Sequence, residues 1–160
     1  MIRVRHAITL ALLIAAPSAR AEQAPSVELE QLTSPEVADL QKQGWTTIII
    51  PTGGTEQNGP QLTLGKHNII VRYTGAEIAK RAGHTLVAPV LAYVPEGKID
   101  PPEGHMRSPG TISLPEPVFA AVLEAAARSF IATGFKEVLL IGDSGPNQAP
   151  QETVAAKLSG

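Results

Sequence analysis

Residues 51–68 read PTGGTEQNGPQLTLGKHN, a polar and glycine-rich stretch that decides the fold of the chain. A β-branched run, Thr46–Ile50, comes before this stretch, and an amphipathic pattern that begins near Ile69 comes after it. This order predicts a strand that ends in a long loop, from which a helix leaves. Because ligands in open α/β sheets bind where strands end in such loops, Glu56 and His67 are the candidate chemical groups.

The rest of the chain alternates between predicted helices and strands. A first helix begins at Thr33 or Ser34 and ends at Gly44; the later elements are a helix from Ile69 to Gly83, a strand over 85–93, a loop over 95–111, a helix over 115–133, a buried strand over 136–141 and a helix from about Gln148 towards Leu158. This alternation predicts βαβ units and a mostly parallel sheet. The predicted apolar face of the helix after the loop consists of Ile69, Ile70, Tyr73, Ile78 and Ala79, and that of the helix over 115–133 consists of Val118, Val122, Ala125 or Ala126, and Ser129 or Phe130.

The composition excludes several classes of protein. The chain has 160 residues, of which 43% are hydrophobic, and this suits one domain with a substantial core. The absence of cysteine excludes disulfides, thiolate metal sites and cysteine nucleophiles. With a formal net charge of −2 and no basic run, nucleic acid is not an expected partner.

The first 21 residues have the layout of a secretory signal peptide. Arg3 and Arg5 make a basic start, residues 7–16 are almost entirely apolar, and Ala19-Arg20-Ala21 is a small-residue cleavage site. We therefore expect a periplasmic or secreted protein whose single domain covers 22–160. The apolar run is too short to span a bilayer comfortably, so no membrane partner is expected after cleavage. Because Gly160 follows a predicted helix with no closing strand, the domain is also expected to be incomplete at its C-terminus.

Four segments resemble the motifs of one family. They are Leu32–Glu36 (Leu-Thr-x-x-Glu), residues 51–65 (Pro-x-Gly-Ser-x-Glu-Gln-His-Gly-Pro-His-Leu-Pro-Leu-Gly), residues 105–114 (His-x-x-Phe-Pro-Gly-Thr-Ile-Ser-Leu) and residues 142–147 (Asn-Gly-His-Gly-Gly-Asn). In their order and spacing the chain resembles the creatininase (creatinine amidohydrolase) family. The resemblance implies an α/β three-layer sandwich, with a mostly parallel sheet flanked by helices, and a homo-oligomer. It also implies metal-dependent hydrolysis of a C–N bond in a small cyclic or linear amide, with zinc or manganese as cofactor.

The chain departs from the family pattern at several of the implied metal ligands. Glu56 keeps its position, whereas Asn58 and Ser144 stand where the family has histidines, and His67 stands where the family has an aspartate. A later glutamate of the family has no counterpart in this sequence. We interpret Glu56, His67 and Asp143 as candidate metal ligands, since Asp143 is adjacent to the substituted histidine position.

The remaining candidate residues are assigned to the substrate and to proton transfer. Asn58 and Ser144 are predicted to contact the substrate, and His105 is predicted to act as a general acid or a substrate contact. Each candidate also has a plain structural interpretation: carboxylates in loops cap backbone N–H groups, and loop histidines are commonly solvated.

Two other functions are open from the sequence. In the first, the chain is a family member whose metal centre has eroded, leaving a binding or structural protein. In the second, it is a metal-free hydrolase. In the second case Ser144 would act as nucleophile with His105 or His67, although no Gly-x-Ser-x-Gly elbow surrounds Ser144.

Overall fold

A computed structural model describes residues 26–159, so the predicted signal peptide lies outside the described residues. The elements in chain order are α1 (Ser34–Lys42), β1 (Thr47–Thr52), α2 (Lys66–Ala82), β2 (Thr85–Val87), α3 (Glu116–Ala132), β3 (Glu137–Gly142) and α4 (Gln148–Ser159), with short 3₁₀ turns at Leu29–Gln31, Gly104–Arg107 and Gly145–Asn147. None of the helices between residues 26 and 159 is long and apolar enough to cross a membrane.

The three strands form a parallel sheet in the order β2-β1-β3. Thr47 of β1 is paired with Thr85 on one side and with Glu137 on the other, and Thr52 is paired with Gly142. The chain leaves β1 through α2 to reach β2, then passes through α3 to the opposite side of β1. The carboxyl end of β1 is therefore the point where the strand order reverses, which is the usual ligand-binding crevice of such sheets.

The helices cover the sheet on both faces, because successive residues of β1 point in opposite directions. Ile49 packs with Ala76 and Ala79 of α2 on one face. Ile48 and Ile50 pack on the other face, in a larger cluster that also contains residues of α1, α3 and α4; its buried members are Leu40, Leu86, Ala88, Val94, Phe119, Leu123, Ala127, Phe135 and Val154. The predicted three-layer α/β sandwich with a parallel sheet is confirmed.

The predicted apolar faces of two helices are only partly buried. In α2, Ile69 is 65% exposed and Tyr73 is 70% exposed, whereas Ala79 of the predicted face is buried, together with Val71 and Ala76. In α3 the buried residues are Phe119, Leu123 and Ala127, and the predicted Val118 and Val122 are largely exposed. Both helices carry small or apolar residues on several faces, so periodicity alone does not identify the side that meets the sheet.

The boundaries of one predicted strand and one predicted helix also change. β2 ends at Val87, ahead of Pro89, and the chain beyond it meets β1 again at an isolated bridge between Thr52 and Leu91. α2 begins at Lys66, so His67 lies in its first turn rather than in the loop. The predicted burial of the third strand is wrong, because within residues 26–159 β3 pairs with β1 alone and Leu139 is 45% exposed.

Candidate active site at the carboxyl end of the sheet

The loop after β1 is held in place by Asn68 in the first turn of α2. The Asn68 Oδ1 accepts a hydrogen bond from the Gly54 N–H at 3.0 Å, and its Nδ2 donates to Thr55 Oγ1 at 3.3 Å. A Cβ on Gly53 would lie 2.1 Å from Asn68 Oδ1, so glycine is required for this close approach. This contact fixes the direction in which the following residue, Glu56, enters the interior.

Glu56 is the centre of the site. Its side chain is buried and its two oxygens face two different imidazoles: Oε1 lies 2.8 Å from His67 Nε2, and Oε2 lies 3.2 Å from His105 Nε2. Burial by itself would raise the pKa of the Glu56 carboxyl group. The neighbouring Glu96 carboxyl group and the two histidines outweigh that effect, so the pKa is lowered from 4.5.

Glu96 is the functional residue that the sequence interpretation missed. It lies in the segment between β2 and α3, is 2% exposed, and its carboxyl group is beside that of Glu56. A Cβ on Gly54 would lie 2.2 Å from Glu96 Oε1, so this glycine leaves the space that the carboxyl group occupies. Burial, followed by the proximity of Glu56, raises the pKa of Glu96 to about 9. Its sequence signal was an acidic residue two positions after the apolar run 86–94.

Three of these side chains are arranged to hold a metal ion. One ligand atom from each of Glu56, Glu96 and His105 lies within 4.8 Å of the other two. Apart from the Glu56 carboxyl group, neither oxygen of Glu96 has a polar partner, although both are buried. Two buried carboxyl groups side by side are costly when both are charged, and a divalent cation is one group that compensates them. The residues present therefore fit the metal that the family resemblance implies.

The predicted ligands Glu56, His67 and Asp143 lie close together, but they are arranged in a row and do not surround one point. His67 lies between the two carboxylates. His67 Nδ1 lies 2.8 Å from Asp143 Oδ2, without the geometry of a hydrogen bond, and His67 Nε2 contacts Glu56. The two carboxylates thus contact opposite nitrogens of one imidazole. A single ion cannot bind both nitrogens of a ring, so among residues 26–159 only Glu56 of this trio belongs to the three-residue convergence.

A contact with a backbone carbonyl also fixes His105 in the site. It lies in the 3₁₀ turn Gly104–Arg107, and its Nδ1 is 3.1 Å from the Gln57 carbonyl oxygen. Since a carbonyl only accepts, Nδ1 is the nitrogen that carries a proton there. In the neutral ring Nε2 then presents a lone pair toward Glu56.

The predicted substrate contacts, Asn58 and Ser144, take different positions. The Asn58 Nδ2 donates to the backbone carbonyl of Glu56 at 3.0 Å, so this amide group supports its own loop. Ser144 is buried just before the turn Gly145–Asn147. Neither histidine of the site contacts Ser144; both lie against Glu56 instead.

A cavity of about 570 Å³ opens beside the site, and Glu96 and His105 line it. The cavity wall also includes Ile99, Leu114, Glu116 and Pro146, so the loop after β2 and the loop after β3 both contribute to it. Asn147 connects the latter loop to β1, because its Nδ2 donates to the Gly53 carbonyl at 2.8 Å. A small molecule in this cavity would lie against Glu96 and His105.

A sequence model of the family described as "Creatininase: Creatinine amidohydrolase" matches residues 30–160. Among curated proteins, the 3-dehydro-scyllo-inosose hydrolase of Thermotoga maritima is 27% identical over 125 residues, covering 78% of this chain and 38% of that protein. The mycofactocin precursor peptide peptidase of Mycobacterium ulcerans is 30% identical over 113 residues, covering 66% of this chain and 43% of that protein.

A solved structure of creatininase with manganese superposes with a TM-score of 0.72 at 22% identity, covering 84% of this chain and 53% of that one. This likeness establishes the fold. The chain spans less than half the length of the two curated relatives and about half of the solved structure.

Proposed function

The chain belongs to the creatininase family, and from this premise we propose that it is a metal-dependent hydrolase of a C–N bond in a small cyclic or linear amide. The observation that carries the proposal is the buried Glu56 carboxylate, which lies between two imidazoles and beside a second buried carboxyl group. The names of both curated relatives, a hydrolase and a peptidase, agree with a hydrolytic reaction.

The divalent ion, zinc or manganese, would be held by Glu56 with Glu96 and His105. A mixed set of carboxylate and imidazole ligands suits these metals, and the solved creatininase with manganese supports the choice. When bound, such an ion polarises the amide carbonyl and lowers the pKa of a coordinated water.

The other residues of the site would orient the ligands. His67 holds Glu56 from the side of Oε1, and Asp143 lies against the far nitrogen of His67. Because the Asp143 side chain is 29% exposed, this pair lies between Glu56 and solvent. A free general-acid role for His105 has less support, since its Nε2 faces Glu56 and its Nδ1 faces a backbone carbonyl.

The substrate would enter the cavity that Glu96 and His105 line. Its volume of about 570 Å³ is within the range of small-molecule sites, and its walls combine apolar groups with Lys98 and Glu116. These features favour a compact amide that carries polar substituents. Contacts from Asn58 and Ser144 to this substrate stay predictions.

Export and self-assembly belong to the same proposal. The leader-like residues 1–21 support a periplasmic or secreted protein. Ile69 and Tyr73, which are exposed on α2, support a homo-oligomer, because large apolar side chains grouped on a surface commonly mark an interface. Cell fractionation and sedimentation of the processed protein test these two inferences.

The hydrolase is tested by amine release from a panel of cyclic and linear amides. We expect activity with Mn²⁺ or Zn²⁺, loss of activity on chelation, and a fall of about 100-fold or more in Glu56→Gln. Glu103→Gln is the matched control, since Glu103 is an exposed carboxylate that pairs with Lys98 at 3.5 Å. Activity that resists chelation would contradict the proposal, and a protein that neither binds metal nor hydrolyses any amide would favour the family member with an eroded metal centre.

A further inference from the structure

We propose that Glu96 is a metal ligand that replaces those this chain lacks at Asn58 and Ser144. The ion is then held on the Oε2 side of Glu56, between Glu96 and His105, and not on the Oε1 side with His67 and Asp143. This inference rests on the proposed metal dependence, but it concerns which residues bind the ion and not which reaction follows.

The first argument is the burial of Glu96. The residue is 2% exposed, and its carboxyl oxygens have no hydrogen-bond partner apart from the Glu56 carboxyl group. Its backbone is fixed, because the Glu96 N–H donates to Ser113 Oγ at 2.9 Å and the same hydroxyl donates to the Gly97 carbonyl at 2.7 Å. A rigid backbone therefore directs one buried carboxyl group at a second one, that of Glu56, an arrangement that no ordinary packing requirement explains.

The second argument is the orientation of His105. The Gln57 carbonyl accepts from Nδ1 at 3.1 Å, so the lone pair of the neutral ring is at Nε2, 3.2 Å from Glu56 Oε2. A backbone carbonyl on the distal nitrogen is the usual support of a metal-bound histidine. The ligand atoms of the three residues lie within 4.8 Å of one another, and two ligands of one ion lie up to about 4.2 Å apart with bonds near 2.1 Å. Shifts of a few tenths of an ångström would complete the site.

The third argument is the arrangement on the other side of Glu56. His67 places one nitrogen against Glu56 and the other against Asp143, each at 2.8 Å. An ion bound at either nitrogen reaches only one of the two carboxylates. On this side the imidazole itself occupies the space between the acidic groups, which makes His67 and Asp143 positioning residues.

The residues Asn58 and Ser144, which stand where the family has histidines, agree with an ion on the Oε2 side of Glu56. The amide group of Asn58 supports the backbone carbonyl of Glu56, at 3.0 Å. Ser144 lies buried before a 3₁₀ turn and offers no imidazole. Glu96 enters from a different segment, the loop after β2, and brings the count of protein ligands to the three that a catalytic site needs.

Metal binding to the full chain tests the assignment without measuring activity. Calorimetric titration with Mn²⁺ is expected to give dissociation constants raised about 100-fold or more in Glu96→Gln and His105→Ala, and changed less than about tenfold in Asp143→Asn. Glu103→Gln, in the same loop and exposed, should bind as the wild type does. Circular dichroism and melting curves verify that each variant is folded.

Glu96→Asp provides a second variant in case the amide is not tolerated at this buried position. It keeps the charge but moves the carboxylate back by one methylene, so the absorption bands of bound Co²⁺ should shift in position or intensity. Wild-type Mn²⁺ affinity in Glu96→Gln, or an unchanged Co²⁺ spectrum in Glu96→Asp, would overturn the assignment. So would loss of binding in Asp143→Asn alone. Metal binding that follows the expected pattern without any amide hydrolysis would leave the assignment intact and reject the proposed reaction.

Discussion

Glu56 and Glu96 bring two carboxyl groups together in the interior of the protein, although the residues come from loops that follow different strands. Their environments differ. Two histidines face Glu56, whose pKa is lowered, whereas burial and the proximity of Glu56 raise the pKa of Glu96 to about 9. At neutral pH and without metal, Glu56 is therefore charged and Glu96 holds a proton. A cation that bound between these two carboxyl groups would therefore displace the proton of Glu96.

The metal-free protein should lose stability as the pH rises. The pKa of Glu96 is 4.5 in the unfolded chain and about 9 in the folded one, so between these values only the unfolded chain gives up the proton. Unfolding then releases a proton, and the free energy of unfolding falls by up to about 1.4 kcal/mol per pH unit. Urea unfolding of chelator-treated protein between about pH 6 and 8 measures this slope. Glu96→Gln should flatten it, and an equal slope in that variant would contradict the assignment.

Mn²⁺ should stabilise the folded chain through the same residues. At 100 times the dissociation constant, the expected gain is about 2.7 kcal/mol, visible as a rise in Tm. The gain should persist in Glu103→Gln and disappear in Glu56→Gln, because Glu56 faces both sides of the site. Equal shifts in these two variants would mean that the ion binds elsewhere on the chain.

Gly53→Ala should destabilise the fold by about 1–3 kcal/mol. The added Cβ would lie 2.1 Å from Asn68 Oδ1 and 2.9 Å from Asn68 Cα, so the first turn of α2 would have to move. Gly145→Ala is the control, because a Cβ at that position meets no atom within 4 Å. Chemical denaturation compares the two variants, and equal losses of stability would show that the close approach at Gly53 is unimportant.

Leu139→Lys should reduce self-association of the chain. Within residues 26–159, β3 pairs on one side only, and a cavity of about 410 Å³ that Leu139 and Leu158 help to line adjoins this strand. A charge on an edge strand opposes pairing with another copy. Val122→Lys makes the same change at an exposed site of α3 and should have little effect. Light scattering as a function of concentration distinguishes the two, and similar behaviour would exclude the strand edge as the contact.

Much of the fold could be predicted from local sequence, because its strong signals are local. Thr33 and Glu36 identify the start of α1, where the Thr33 N–H donates to the Glu36 carboxylate at 2.7 Å. Ile48–Ile50 predicted a strand buried on both faces, as β1 is. The inner face of α3 could not be read this way, because Phe119 and Val118 are both apolar and only the position of the sheet decides between them.

The site was predictable to the extent that it follows a single motif. Glu56, His67 and Asp143 lie together as expected, because two parallel strands end at the same edge of the sheet. The contribution of Glu96 depends on a contact between loops that are 40 residues apart in the sequence. No local pattern encodes that contact. The sequence interpretation therefore named Asp143 as a ligand, whereas the structure brings Glu96 together with Glu56 and His105.

Each of the three strands ends near an acidic side chain of the site: Glu56 after β1, Glu96 after β2 and Asp143 after β3. Such a scaffold presents acidic side chains from three rim segments, so a donor position lost from one segment can be taken over by another segment without altering the framework. During evolution, the residues that bind the ion can change from one loop to another while the fold stays the same.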